Sequence, residues 1–161
     1  MILIAIGSNL LSNKFGKPIN NCLEAVKALS TFFKINEISC WYESEPVPSA
    51  DQPWYVNGII SISSNYEPKK IMNILLKIES EFGRVRIKKN EARTIDLDLI
   101  CYNELVIKTG FLTLPHPRMH LRAFVLKPLL DLSPDWVHPI YKMSAKELFS
   151  MIHKEQNIKR I

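Results

Sequence analysis

The chain opens on an unbroken apolar run, Ile2, Leu3, Ile4, Ala5 and Ile6, that stops at Gly7, Ser8 and Asn9. A run of that length ending in turn formers predicts a strand covered on both faces. From Pro18, a residue suited to the first helical position, Ile19, Leu23, Val26, Leu29 and Phe33 recur at helical spacing and predict a helix reaching about Phe33. Ile35, Ile38, Cys40 and Tyr42 lead into a polar, proline-rich stretch from Ser44 to Pro53, and Tyr55 to Ile62 reads as the next strand. A connection that long points to function rather than to simple joining. Pro68 opens a second helix with Ile71, Ile74, Leu75, Ile78 and Phe82 on one stripe and Gly83 placed to end it. Thr94 to Tyr102 predicts a further strand, followed by a short strand pair near Val106 and Leu112. Ser144 and Glu147 have capping-box spacing for a last helix carrying Leu148, Met151 and Ile152.

Strand, helix, strand, strand, helix, strand is the order of a split βαβ unit. The predicted fold is therefore α/β (α+β): a ferredoxin-like βαββαβ sandwich with an antiparallel sheet, an extra short strand pair and a C-terminal helix. The helices are expected on one face, leaving the other for a ligand. Residues 1–161 are expected to form a single domain, since this length, with 47% hydrophobic and 23% charged residues, suits one core. An architecture of this kind hosts many activities, so function has to be read from sites.

Composition narrows the classes. Apolar runs such as Met1–Ile6 fall far short of the roughly 20 residues a membrane span needs, and no basic region or small-residue cleavage site marks a signal peptide. A cytoplasmic protein without membrane partners is expected. Cys22, Cys40 and Cys101 stand singly, without a CxxC pair, which argues against a disulfide framework or a zinc cluster. The formal charge of +5 suggests an anionic partner without choosing among nucleotide, nucleic acid or an acidic surface.

The chemistry concentrates in Thr94-Ile95-Asp96-Leu97-Asp98-Leu99. Alternate side chains of a strand share a face, so Asp96 and Asp98 stand together, their backbones about 6.6 Å apart, with oxygens able to converge on cations. All-oxygen ligands favour magnesium over zinc. A solvated strand face carries such pairs too, but the preceding segment tips the balance. Arg84, Arg86, Lys88, Lys89 and Arg93 set five cations against the single Glu91 in ten residues, and arginine forks match phosphate oxygens. A basic loop leading into an acidic metal site predicts transfer of a phosphorus group from a magnesium-bound nucleotide. His116 and His120 have a spacing that zinc sites use on helices, but Pro117 disfavours helix there, so a phosphate or ribose contact suits His116 better.

Arg93-Thr94-Ile95-Asp96-Leu97-Asp98-Leu99-Ile100, Leu114-Pro115-His116-Pro117-Arg118 and Arg122-Ala123-Phe124-Val125-Leu126 together resemble the 6-hydroxymethyl-7,8-dihydropterin pyrophosphokinases of folate biosynthesis. Ala5 to Leu10, Asp51-Gln52-Pro53 with Tyr55 and Asn57, and Gly83-Arg84-Val85-Arg86 extend the resemblance in the family's order. The chain departs from the family at Asn90-Glu91-Ala92, where relatives usually carry Gly and Pro before the arginine. The resemblance implies ATP-dependent transfer of an intact diphosphate to the pterin hydroxymethyl group, with AMP released. By the same resemblance Asp96 and Asp98 hold two Mg2+ ions, and Arg84 and Arg93 close on the phosphates. Glu79, Arg86, Leu99, Thr113, His116 and Arg122 line the ATP site, while Ser44, Val47, Tyr55, Asn57 and Phe124 hold the pterin, the aromatics sandwiching its ring. ATP and the pterin are the expected partners, with no nucleic acid and no obligate protein partner. An RNA-binding module of the same element order fits poorly, because Ile2–Ile6 offers no aromatic for base stacking and two aspartates repel a phosphate backbone.

Overall fold

A computed structural model of the chain describes residues 1–48, 51–83, 92–152 and 156–161. The elements are β1 (Ile2–Ser8), α1 (Pro18–Ser30), β2 (Lys34–Ile38), β3 (Tyr42–Ser44), β4 (Tyr55–Ser63), α2 (Pro68–Glu81) and β5 (Asp96–Tyr102). They continue with β6 (Ile107–Lys108), β7 (Thr113–Leu114), a 3-10 turn at Met119–Leu121, α3 (Ala123–Leu132), α4 (Ala145–Ser150) and β8 (Ile158–Arg160). One antiparallel sheet runs β5-β1-β4-β3-β8 with β2 also on β4, and β6 pairs β7 apart from it.

β1 is central, and its continuous apolar run is explained by two cores. Ile2, Ile4 and Ile6 join Val56, Ile60, Leu97 and Leu99 beneath α1 and α2, while Leu3 joins Ile59, Ile100 and Cys101 beneath α3 and α4. The expectation of helices on one face only is therefore corrected: α3 and α4 cover the end of the second face where Leu3 and Ile59 lie. The other end of that face, with Ala5 and Gly7, carries the polar residues described below. On β5 the register against β1 slips by one residue around Ile100. That bulge lets both Ile100 and Cys101 face the α3 side while Asp96 and Asp98 keep their alternation.

Helix α2 keeps the predicted stripe, with Ile71, Ile74, Leu75 and Ile78 buried, and Gly83 ends it at φ +79°, a conformation open to glycine at little cost. Helix α1 departs from its prediction. It stops at Ser30, and its buried side is Asn21, Cys22, Ala25 and Leu29, with Leu23 exposed. The rotation follows from Asn21, whose Nδ2 donates to Ser8 Oγ at 3.2 Å and to the Leu10 carbonyl at 2.9 Å, turning that side toward the end of β1.

The apolar positions Ile35, Ile38, Cys40 and Tyr42 are spread over two strands, β2 and β3, and the link between them. Ile38 pairs with Ile60 but Tyr42 with Asn57, so three residues oppose two, and the extra residue lets the Trp41 ring lie over Gly58. A Cβ on Gly58 would come within 2.6 Å of that ring, which is why the position is glycine. The capping box of α4 is present, with Ser144 Oγ accepting from Glu147 N–H at 3.2 Å and Glu147 Oε2 from Ser144 N–H at 2.7 Å. The helix ends before Met151, which is 68% exposed. No helix among the described residues is long and apolar enough to cross a membrane.

Candidate active site

Asp96 and Asp98 emerge from β5 on the face away from α1 and α2, because Ile95, Leu97 and Leu99 are claimed by that core. Leu97 itself is fixed from the outer edge of the sheet, where its N–H donates to Glu79 Oε1 at 2.8 Å. Glu79 is 2% exposed. A buried carboxylate is tolerated when hydrogen-bonded, and this one anchors the backbone between the two aspartates. Glu79 and Leu99 thus lie on the α2 side of β5, apart from the acidic pair.

Arg93 reaches Asp96 directly, Nη1 to Oδ1 at 2.9 Å. Its backbone is gripped by the turn after β1: Asn9 Oδ1 accepts from Arg93 N–H at 2.8 Å, and the Arg93 carbonyl accepts from Asn9 N–H at 3.1 Å and Leu10 N–H at 3.2 Å. Asn9 Nδ2 also donates to Gln52 Oε1 at 3.1 Å and to the Pro53 carbonyl at 3.0 Å, tying the loop before β4 to the same point. Ser8 Oγ donates to the Thr94 carbonyl at 2.6 Å. Gly7 and Ser8, expected to end the strand, instead continue β1, and with Asn9 just beyond it they form the mount for Arg93.

Charges gather around this point. Burial disfavours the Arg93 cation, but Asp96, helped by Tyr55 and Asp98, outweighs it and holds the guanidinium above its ordinary range. Arg122 is shifted the other way: burial and the like charge of Arg118 lower it against the pull of Asp98 and Asp96. His116 is pushed down to about 4 by burial, then by Arg122 and Arg118. Its Nδ1 accepts from Arg118 N–H at 3.2 Å, so the neutral ring carries its proton on Nε2. Thr113, at the start of β7, belongs to the strand that packs along β5, and the His116 N–H donates to the Ile100 carbonyl at 2.8 Å.

A second group adjoins the first. Asn57 is 5% exposed, and its Nδ2 donates to Ser44 Oγ at 2.9 Å and to the Tyr55 carbonyl at 3.4 Å. Tyr55 donates its hydroxyl to Gln52 Oε1 at 3.3 Å. Gly7 joins the two groups, for a Cβ there would lie 3.3 Å from Asn57 Oδ1, 3.8 Å from Asp96 Cβ and 3.9 Å from Tyr55 Cδ1. Phe124, in the first turn of α3, stands 5.2 Å from the Arg122 guanidinium. Val47 is exposed at the loop after β3. Arg84, Arg86 and the basic run through Lys88, Lys89, Asn90 and Glu91 lie outside the described residues.

Arg93, Asp96, Asp98, His116 and Arg122 are thus one electrostatic cluster, with Ser44, Tyr55 and Asn57 beside it. Among the described residues no three His, Cys, Asp or Glu side chains converge as a metal cage. Two carboxylates on one strand face are instead the donor set magnesium takes when phosphate oxygens and water complete its octahedron. Cations facing an acidic pair suit a polyphosphate bound through a divalent metal.

Residues 3–134 match the sequence model of the family described as 7,8-dihydro-6-hydroxymethylpterin-pyrophosphokinase (HPPK). The 2-amino-4-hydroxy-6-hydroxymethyldihydropteridine pyrophosphokinase of Synechocystis is 35% identical over 94% of this chain and 74% of its own length; the Haemophilus influenzae protein of the same name is 38% identical over 84% and 83%. The folic acid synthesis protein fol1 of Pneumocystis carinii is 38% identical, but this chain spans only 20% of it. Among solved structures, a crystal structure of an HPPK-DHPS in complex with substrates superposes with a TM-score of 0.74 at 14% identity, over 99% of this chain and 46% of that one, a likeness of fold. With most of its length matched and its acidic strand, arginine mount and polar pocket on one sheet face, the chain belongs to the 7,8-dihydro-6-hydroxymethylpterin-pyrophosphokinase family.

Proposed function

We propose that this cluster carries the family's reaction, the ATP-dependent transfer of a pyrophosphoryl group to the hydroxymethyl group of 6-hydroxymethyl-7,8-dihydropterin in folate synthesis. The observation that supports the assignment most is the junction at Gly7, where the side chain of Asp96 and those of Asn57 and Tyr55 come within one Cβ's reach. It supports the reading because transfer between two bound molecules requires the two binding groups to adjoin, and the acidic strand adjoins the polar pocket there.

In this reading Asp96 and Asp98 would hold two magnesium ions, which would supply charge neutralisation at the phosphates. Arg93, on a mount fixed by Asn9, meets charge that develops during transfer, with Arg84 from the preceding segment as its counterpart. Arg122, Arg86, Thr113 and neutral His116, a donor through Nε2, line the nucleotide. Leu99 contributes its main chain at the outer edge of β5, and Glu79 holds that edge in place. Asn57, oriented by Ser44, pairs with the pterin edge, while Tyr55 and Phe124 stack on its faces and Val47 closes the rim. The sheet order β5-β1-β4 followed by β2 and β3, with α1 and α2 on one face, supports a ferredoxin-like unit to which α3, α4 and β8 are added. The protein is read as a cytoplasmic enzyme acting on small molecules, with no obligate protein partner.

The test is to incubate the protein with magnesium, ATP and the dihydropterin and to follow products by phosphorus NMR, beside Asp98→Ala. Wild type is expected to give AMP and a pterin diphosphate only when pterin is present. Since loss of a residue that merely supports a metal ligand costs about 10–100-fold, loss of a ligand should exceed about 100-fold, with circular dichroism unchanged. Near-normal turnover by Asp98→Ala would overturn the metal assignment.

A further inference from the structure

One side-chain amide joins segments 33 residues apart in sequence, on the side of the site that Arg122 and Phe124 form. Gln156 Oε1 accepts from Ala123 N–H at 2.8 Å. Its Nε2 donates to the Leu121 carbonyl at 2.8 Å. The two backbone groups flank Arg122, so the amide grips the main chain on both sides of that residue, as a neighbouring strand would. Ala123 N–H is the first amide of α3, one of those that helix geometry leaves without an internal partner. Arg122, at the N-cap position with φ −120° and ψ 111°, supplies no side-chain cap of its own. The cap comes from Gln156 instead.

The residues that follow Gln156 are tied to the opposite wall. The Asn157 carbonyl accepts from Glu45 N–H at 3.3 Å, and Asn157 Nδ2 donates to Glu45 Oε2 at 3.0 Å. Ile158 to Arg160 then pair with Ser44 to Tyr42, and Lys159 Nζ meets Glu43 Oε2 at 2.9 Å. One short segment therefore holds the start of α3 at one end and β3, with Ser44, at the other.

We propose that Gln156 is a positioning residue for the transfer reaction. By fixing the backbone on both sides of Arg122, it sets where that guanidinium stands relative to the Ser44 wall. The proposal rests on the assignment of Arg122 to the substrate site. A cap with only a structural role would change melting and leave catalysis alone. A positioning role acts through Arg122 and disappears when Arg122 is gone.

The experiment is a double-mutant cycle on the full chain, measuring kcat and the KM for ATP and for pterin in wild type, Gln156→Ala, Arg122→Ala and the double variant, with thermal melts alongside. Gln156→Glu is added because it keeps the acceptor for Ala123 N–H while setting an oxygen against the Leu121 carbonyl, so it tests the contact without truncating the side chain. Each Gln156 variant is expected to lower kcat/KM between about 10- and 100-fold, the range for small misplacements of a site, and the double variant to match Arg122→Ala. Normal kinetics in both Gln156 variants would overturn the proposal, as would full additivity with Arg122→Ala. Unchanged kinetics in Arg122→Ala itself would overturn the underlying assignment, and the proposal with it.

Discussion

A methyl group added at Gly7 would lie 3.3 Å from Asn57 Oδ1 and within 4 Å of both Asp96 Cβ and Tyr55 Cδ1. The Asn57 amide cannot simply swing away, because its Nδ2 is engaged by Ser44 and the Tyr55 carbonyl and the residue is 5% exposed. A larger side chain therefore enters the space between the acidic pair and the pocket rather than finding room elsewhere. Gly7→Val is expected to fold, since valine favours strands, and to raise the pterin KM about tenfold or more, the range seen when a pocket must accommodate an extra methyl or two. ATP affinity should change far less. Steady-state kinetics with each substrate varied in turn checks this, and an equal rise in both KM values would place Gly7 outside the pocket. Asn9 has a matching influence on the other side of the junction. Its Oδ1 and backbone N–H together hold both polar groups of the Arg93 main chain, so Asn9 sets the aim of Arg93.

Helix α3 is held at both of its ends. Its first turn carries Phe124, and Asp131 near its other end accepts from Tyr42 Oη at 3.0 Å on each carboxylate oxygen and from Cys40 N–H at 3.1 Å. Tyr42→Phe removes the hydroxyl of a buried ring from a half-buried bond to a charged group. It should cost about 1–2 kcal/mol, toward the low end for such bonds because Cys40 still satisfies the carboxylate. Urea unfolding measures it, and a loss below a few tenths of a kcal/mol would mean the contact does not hold α3 to β3. The same helix shows where sequence reading stops. Strand β1, helix α2 and the Asp96-Asp98 alternation were legible because periodicity, Pro68 and Gly83 are local signals that the tertiary structure leaves in force. Helix α3 was not, since Ala123, Val125, Leu126, Pro128 and Leu129 are all buried, leaving little polar stripe, and Pro128 lies inside it. Proline usually ends a helix; here burial against Leu3 and Ile59 outweighs the lost bond. The break between β2 and β3 depends on Trp41 finding Gly58, the turn of α1 on Asn21 finding Ser8, and β8 on β3. Each is a contact between distant segments, with no mark in the local pattern.

Two layers of helix on one sheet give the molecule two cores of unequal acid tolerance. On the α3 and α4 side, His138 is 2% exposed, its Nδ1 accepting from Ile140 N–H at 3.2 Å and Tyr141 N–H at 3.3 Å. His120 stands 6.1 Å away ring to ring, with Trp136 and Tyr141 as the other aromatic neighbours. Burial, with His120 adding to it, pushes His138 down to about 4, and His116 at the site is pushed down to a similar value. Unfolded, each ring would titrate near 6.5. Between those values the unfolded chain binds more protons than the folded one, so stability rises with pH across the window and is lost as pH falls through it. The stabilisation is complete above about pH 6.5 and gone near pH 4. Melting temperature should accordingly be level from pH 8 to about 6.5 and then fall toward pH 4.5. His138→Asn, whose Oδ1 can take over the two backbone N–H groups without titrating, should flatten part of that fall while keeping the fold. A melting temperature that holds or rises as pH drops from 6.5 to 4.5 would mean that neither ring resists its proton in the fold. A fall that His138→Asn leaves untouched would assign it to the other rings that burial holds neutral, His116 and His120, and a shift of the curve on adding nucleotide would single out His116 at the site.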